Sequence, residues 1–270
     1  MAIKLIALDL DGTFTNDDKQ ITDFSRDILK KAAEKGVAVA LASGRPVLGI
    51  TPVADYLNLK NYKSFIMAFN GGQIIDYQSG ETVYQVEFKH EYIPEAVKFS
   101  KKYNLPLITY NDTEILSEGP LNDWARHEEH NCNQKIKIID SFDKYIDFPI
   151  VKMLMAGDPI ELNAPEADIA EHFKGRLDIY RAANYFLELM PKGINKAQGL
   201  EVIANYMGIT RDEIMACGDA DNDVTMMQYA GLGVAVSNAT EKTLAAADYI
   251  TQSNNDDGVA HAIEKFILNV

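Results

Sequence analysis

Residues 3–10 read IKLIALDL, apolar and β-rich at nearly every position, and Asp11, Gly12 and Thr13 follow directly. A short run without polar alternation describes a strand covered on both faces. Covered strands of that kind belong to parallel sheets flanked by helices, so this one segment restricts the chain to a few architectures. It also poses a problem. Asp9 and Asp11 lie at its end, and ionised carboxylates are costly in a covered position unless something pairs with them. Either they sit just past the strand end in solvent, or a cationic group is held between them.

The rest of the chain repeats the pattern. Ile28, Leu29, Ala32 and Ala33 carry a helical spacing within 25–35, and Gly36 stops it. Val37–Ala42 reads as a second strand ending in Ser43-Gly44-Arg45-Pro46, with a helix following to about Leu57. Phe65–Phe69 reads as a third, ending in Asn70-Gly71-Gly72. Beyond residue 189 the rhythm resumes: a helix over 197–207, a strand over 214–217 ending in Gly218-Asp219, a helix over 224–230, short strands at 233–236 and 249–250, and a closing helix over 258–267. Alternating strands and helices predict an α/β fold with a parallel sheet. Between about 83 and 188 the pattern loosens, with strands expected at 107–110, 150–156, 177–181 and 185–189 and helices at 93–103 and 164–173. The expected organisation is a discontinuous core, 1–83 with 189–270, interrupted by an α+β insertion over 84–188.

Four strand ends carry polar groups: Asp9/Asp11, Ser43, Asn70 and Asp219/Asp223. Ligands of open parallel sheets bind at the carboxyl ends of the strands, so these groups are expected to meet at one edge. The loop GDADND at 218–223 begins like an EF-hand. That loop needs Gly at its sixth position and Glu at its twelfth, where this chain has Val224 and Ala230. Carboxylates at two neighbouring strand ends suit Mg²⁺ better, since it takes one or two carboxylates with water and phosphate oxygens. With Mg²⁺ present, Asp9 is a candidate ligand and nucleophile, and Asp11 a candidate acid and base. Ser43 offers a hydroxyl to a phosphoryl oxygen, or caps the helix after Gly44. A lysine, Lys192 or Lys196, would supply fixed positive charge to the transferred group. Asn222 reads as a turn residue, and Asp221 as a solvated loop acid.

Composition removes other classes. Forty acidic residues against 26 basic ones give a formal charge of −14, which argues against nucleic-acid or anionic-membrane surfaces. The two cysteines form no CxxC pair, so neither a disulfide framework nor a zinc site is expected. The N-terminal residues lack a signal-peptide pattern, and no uncharged apolar stretch approaches the ~20 residues of a membrane span. A cytoplasmic location is expected, and the oligomeric state is left unassigned. GLGVAV at 231–236 lacks the full dinucleotide fingerprint. His127 and His130, three residues apart, would share one face of a helix, without further ligands to make a metal site.

The quoted motifs also carry a resemblance. DLDGT at 9–13, Ser43 within ASGR, Lys196 and GDADND at 218–223 resemble the four motifs of the haloacid dehalogenase superfamily. FNGG at 69–72 and the long insertion are similar to its Cof-type branch (subfamily IIB). YFLELMPKGINKAQGL at 185–200 and DDGVAHAIEKFILN at 256–269 extend the likeness to the YidA-type sugar phosphatases along the whole chain. The resemblance implies a Rossmann-like core, helices on both faces of a parallel sheet, with an inserted α/β cap of the C2 type that selects substrate. It selects Lys196 over Lys192 and implies Asp9 as nucleophile and Asp11 as acid/base. Mg²⁺ would be held by Asp9, the Asp11 backbone carbonyl and Asp219, with Asp223 supporting its waters. Thr13, Ser43, Gly44 and Asn222, with Lys196, would hold phosphate or substrate. Ala197 stands where relatives often have Gly, and Phe14 where Leu is common. The activity expected is hydrolysis of small phosphorylated metabolites, sugar phosphates foremost, through an aspartyl phosphate. Alternatives are a phosphatase for pyridoxal phosphate or a nucleotide, a metal-free dehalogenase, a phosphomutase, and a sugar-phosphate sensor with little turnover.

Overall fold

A computed structural model describes residues 2–111, 113–132 and 134–269. In chain order the first part runs β1 (Leu5–Leu8), α1 (Asp23–Glu34), β2 (Ala38–Ala42), α2 (Val47–Tyr56), β3 (Ser64–Ala68), β4 (Gln73–Asp76) and β5 (Glu81–Gln85). The middle comprises α3 (Ile93–Tyr103), β6 (Leu107–Tyr110), β7 (Ile115–Glu118), α4 (Arg126–Cys132), β8 (Ile136–Ile139), α5 (Phe142–Tyr145), β9 (Met153–Ala156), α6 (Asn163–His172), β10 (Leu177–Ala183) and β11 (Phe186–Pro191). The last part adds α7 (Lys196–Met207), β12 (Ile214–Gly218), α8 (Val224–Tyr229), β13 (Leu232–Ala235), α9 (Glu241–Ala246), β14 (Tyr249–Ile250) and α10 (Gly258–Ile263).

Contacts divide the chain into two compact units. One comprises 1–44, 50–84 and 195–270, the other 45–49 and 85–194. The second unit reaches past residue 188 because β11 continues to Pro191 within that unit's sheet.

The first unit is built on an eight-stranded sheet in the order β14-β13-β12-β1-β2-β3-β4-β5. From β14 to β3 every neighbouring pair is parallel. The β3–β4 pair is antiparallel, so the sheet is mixed rather than wholly parallel as the alternation suggested. The short link over 69–72 is the physical reason: a parallel return needs a crossover of a dozen or more residues. All four residues of β1 and all five of β2 are buried, as strands covered on both faces must be. Helix α1 buries Ile28, Leu29, Ala32 and Ala33 along one stripe, and the Thr22 hydroxyl caps it by accepting from Ser25 N–H. The core joins Leu5 and Ala7 to Ala40, Phe65, Met67, Leu200, Ile203 and Ala216.

The second unit is a six-stranded sheet in the order β10-β11-β9-β6-β7-β8. Its core gathers Phe88, Leu107, Leu116, Phe142, Met153, Met155, Ile169, Phe173, Leu187 and Leu189. Alternation turns Tyr110 and Glu188 to the other face of the strands, and Lys152, just ahead of β9, joins them. There Lys152 and Glu188 form a buried ion pair, and the Tyr110 hydroxyl donates to Glu128 Oε1 at 2.7 Å. No helix among the described residues is long and apolar enough to cross a membrane.

Candidate active site

The parallel register builds the site. Leu8 on β1 lies beside Cys217 on β12 and Leu41 on β2. One residue further, Asp9 therefore flanks Gly218 and Ala42, and its N–H still donates to Cys217 O at 3.0 Å. Two residues further, Asp219 and Ser43 stand on either side. Ser43 N–H donates to Met67 O at 2.9 Å and Asn70 N–H to Ser43 O at 2.9 Å, which draws in the end of β3. Chain segments far apart in sequence thus converge at one sheet edge, within one unit.

Lys196 occupies the centre of this edge. It is fully buried, and its ammonium donates to Asp9 Oδ1 at 2.6 Å, to Asp223 Oδ1 at 2.6 Å and to Ala42 O at 3.1 Å. Three protons meet three acceptors, which is what a buried ammonium requires. It is the first residue of α7, whose cap is Asn195, accepting from Gln198 N–H at 3.1 Å. Asp223 is buried too, and its Oδ2 accepts the N–H groups of Asp219 and Ala220 at 3.1 and 3.0 Å. That brace closes the 219–223 turn.

Two glycines are required by close approach. A Cβ on Gly12 would come within 2.6 Å of Asp219 Oδ2, and its φ of +82° is one that L side chains rarely adopt. A Cβ on Gly218 would lie 2.3 Å from the Asp223 Cβ. Both leave the acids room to face one another.

The carboxylates of Asp9, Asp219 and Asp223 offer oxygens that all lie within 4.8 Å of one another. Among the described residues this is the one group of three acids, histidines or cysteines able to share a metal ion. Burial, then repulsion from Asp223, push the Asp9 carboxyl up to about 8 against the pull of Lys196. Burial raises Asp219 as well, opposed by its bond from Thr13. Three acids and one ammonium leave an excess of negative charge in a buried space. An all-oxygen donor set with that excess fits a small hard dication such as Mg²⁺.

The other expected residues are placed as follows. The Asp11 side chain does not join this group; its Oδ1 pairs with Lys19 at 2.9 Å. The Thr13 hydroxyl donates to Asp219 Oδ1 at 2.6 Å, so its proton is committed to the acid cluster. Ser43 is buried at the end of β2. Gly44 lies against the Asn70 side chain, where a Cβ would meet Nδ2 at 3.3 Å. Asn222 Nδ2 donates to Asn70 Oδ1 at 3.0 Å. Asp221 is exposed and accepts from Thr240 and Lys242. His127 and His130 both fall on α4, where the His127 ring lies 4.8 Å from that of Tyr185. Cys217 is buried in β12, its thiol pushed up to about 12 by burial.

Asn70 was expected only as a polar strand end, yet it links Ser43, Gly44 and Asn222. It and Phe69 both hold left-handed backbone angles, φ 55° and 52°, conformations that cost energy outside glycine. The FNGG motif was the available signal. Lys19 gave none, because its partnership with Asp11 depends on a loop conformation in which Lys19 itself has φ 61°.

The profile of the haloacid dehalogenase-like hydrolases matches residues 6–263. A 5-amino-6-(5-phospho-D-ribitylamino)uracil phosphatase of Bacillus subtilis is 31% identical over 272 residues, covering 98% of this chain and 96% of its own. The crystal structure of a haloacid dehalogenase-like hydrolase from Bacteroides thetaiotaomicron superposes with a TM-score of 0.94 at 40% identity, over 97% of this chain and 99% of that one. A subclass IIB sugar phosphatase structure superposes with a TM-score of 0.81 at 25% identity, over 97% and 98% of the two chains.

Proposed function

The chain belongs to the haloacid dehalogenase-like hydrolases, and from that premise we propose that it is an Mg²⁺-dependent phosphatase of small phosphorylated metabolites, with sugar phosphates as its substrate class. The observation that carries the reading is the Lys196 ammonium bonded at once to Asp9 and Asp223 beside Asp219. A dehalogenase would need neither a second acid at 11 nor the 219/223 pair.

Asp9, Asp219, Asp223 and the Asp11 carbonyl would hold Mg²⁺. Bound there, the ion would neutralise the acid cluster and draw charge from the phosphoryl oxygens. In the first step an Asp9 carboxylate oxygen forms a bond to phosphorus. The ester P–O bond breaks with its electron pair on the leaving oxygen, and Asp11 gives that oxygen a proton. In the second step water attacks the phosphorus of the aspartyl phosphate. Asp11 takes the proton, and the Asp9–phosphorus bond breaks to release inorganic phosphate. Lys196 orients Asp9 throughout and stabilises charge on the group in flight. Ser43, Gly44 and Asn222 bind the phosphoryl oxygens, with Asn70 orienting the Asn222 amide. Thr13 acts through Asp219. Substrate selection falls to the inserted unit.

The relative named for 5-amino-6-(5-phospho-D-ribitylamino)uracil favours a second substrate, a phosphorylated ribityl pyrimidine. Both readings share a primary phosphate ester on a polyhydroxylated chain. The test is phosphate release from a panel of sugar phosphates, a ribityl phosphate, nucleotides, pyridoxal phosphate and an aryl phosphate, with Mg²⁺ and with EDTA. Release is expected from the polyol esters with Mg²⁺ and is abolished by EDTA. Release that ignores chelation removes the metal. No release from any compound by folded protein leaves a sensor.

A further inference from the structure

The loop that carries Asp11 is fastened to two segments that none of the four motif positions includes. Asn238 Nδ2 donates to Gly12 O at 2.8 Å. Asn238 Oδ1 in turn accepts the N–H of Asn254 at 2.9 Å. The Asn254 amide then reaches the same loop further along, donating from Nδ2 to Thr15 O at 3.1 Å and to Asp17 Oδ1 at 3.1 Å. Asn255 closes the outer side: its Oδ1 accepts Asp17 N–H at 3.1 Å and its Nδ2 donates to Asp17 Oδ2 at 3.0 Å. The fastened points, Gly12 and Thr15, bracket a tight turn. Phe14 and Thr15 N–H both donate to Leu10 O, at 3.1 and 2.9 Å, and Asp11 bridges to Thr15.

The orientation of the Asn254 amide is decided by its surroundings. Both groups facing Nδ2 are acceptors, so the nitrogen must point at them. Its Oδ1 is buried with no hydrogen-bond partner among the described residues. A buried carbonyl oxygen without a donor costs stability. A side chain kept only to fill that space would be better apolar. The two donated bonds are therefore what Asn254 contributes, and both end on the Asp11 loop.

We propose that Asn254 and Asn238 are positioning residues that hold residues 12–17 so that Asp11 is presented to the leaving oxygen. The proposal rests on the assignment of Asp11 as the general acid. A displaced acid slows only a step that needs its proton. An alkyl phosphate needs one at its leaving oxygen; 4-nitrophenyl phosphate, whose phenolate departs unaided, does not.

The experiment uses the full chain as Asn238→Ala and Asn254→Leu. Asn238 is exposed, so its variant is expected to fold. Asn254→Leu keeps the branched outline of the side chain and removes both the donors and the orphaned oxygen, which preserves a packing role while ending a positioning one. Two readouts are taken. In both variants kcat/KM for an alkyl phosphate is expected to fall at least about tenfold, and for 4-nitrophenyl phosphate less than about threefold. Amide hydrogen exchange at Phe14 and Thr15 is expected to quicken at least about tenfold, with the sheet unchanged. Equal loss on both substrates, or unaltered exchange at 12–17, overturns the proposal. Should the unsubstituted protein hydrolyse neither ester, the phosphatase assignment fails, and the exchange measurement still decides whether the clamp exists.

Discussion

Lys196 is the residue on which the site depends most. Removing its charge leaves Asp9 and Asp223 buried without their shared counter-ion. Breaking a buried pair from one side typically costs about 3–5 kcal/mol. Lys196→Met is therefore expected to lower the urea midpoint of the metal-free protein substantially and to abolish turnover. A midpoint equal to that of the unsubstituted protein would mean that the ammonium is not held as described. The two acids it joins are 187 and 27 residues away, and no local pattern announces such a pairing. From the residues alone Lys192 served as well as Lys196, and only the motif resemblance chose between them. Asp9 and Asp219 were legible because a covered strand that ends in acids is a physical anomaly. Asn238 and Asn254 were not, because asparagine in a loop is ordinary and their acceptors lie 226 and 239 residues away.

At the level of elements, the strands covered on both faces could be read from the chain. β1, β2, β3 and β12 are uniformly buried and, Ser64 aside, without polar side chains, and α1 and α7 carry a helical stripe. The strands that escaped notice are β4, β5, β7 and β8. β5 is ETVYQ, mostly exposed, and β8 exposes Lys137 and Ile138. Strands this short have too little periodicity to stand out from loops, whether half-covered like these two or largely buried like β4 and β7. The closing helix ends as an α-helix at Ile263 and widens into a π-turn over 264–268, which apolar spacing does not distinguish. Helix α7 connects stability to chemistry, since its first residue is Lys196 and its cap is Asn195. Asn195→Ala is expected to cost about 1 kcal/mol of unfolding free energy. Fraying of that first turn also moves the ammonium, so kcat should fall with it. Lost stability with unchanged kcat would show that the cap does not position the lysine.

For the whole molecule, the excess of acids at the sheet edge predicts how stability responds to pH and metal. Asp9 holds its proton more tightly folded than unfolded, with its folded value pushed up to about 8. Below the usual Asp range the stabilisation is fully present, and it is lost as pH rises toward that value. Metal-free protein is thus expected to become less stable between about pH 5 and pH 8. Mg²⁺ held by the acid cluster as proposed would bind only the folded state, and should then both raise the melting temperature and flatten that slope. A melting temperature that rises with pH over this window, or that ignores Mg²⁺, would contradict the charge distribution described.

The central claim is that Asp9 takes the phosphoryl group. Its most direct measurement is the mass of the protein after reaction with 4-nitrophenyl phosphate and Mg²⁺, quenched in acid, using Asp11→Asn to slow release of the intermediate. The predicted result is a single phosphoryl adduct that maps to Asp9 and is missing from Asp9→Asn. Continued phosphate release by Asp9→Asn, with no adduct on Asp9 in either protein, would contradict it.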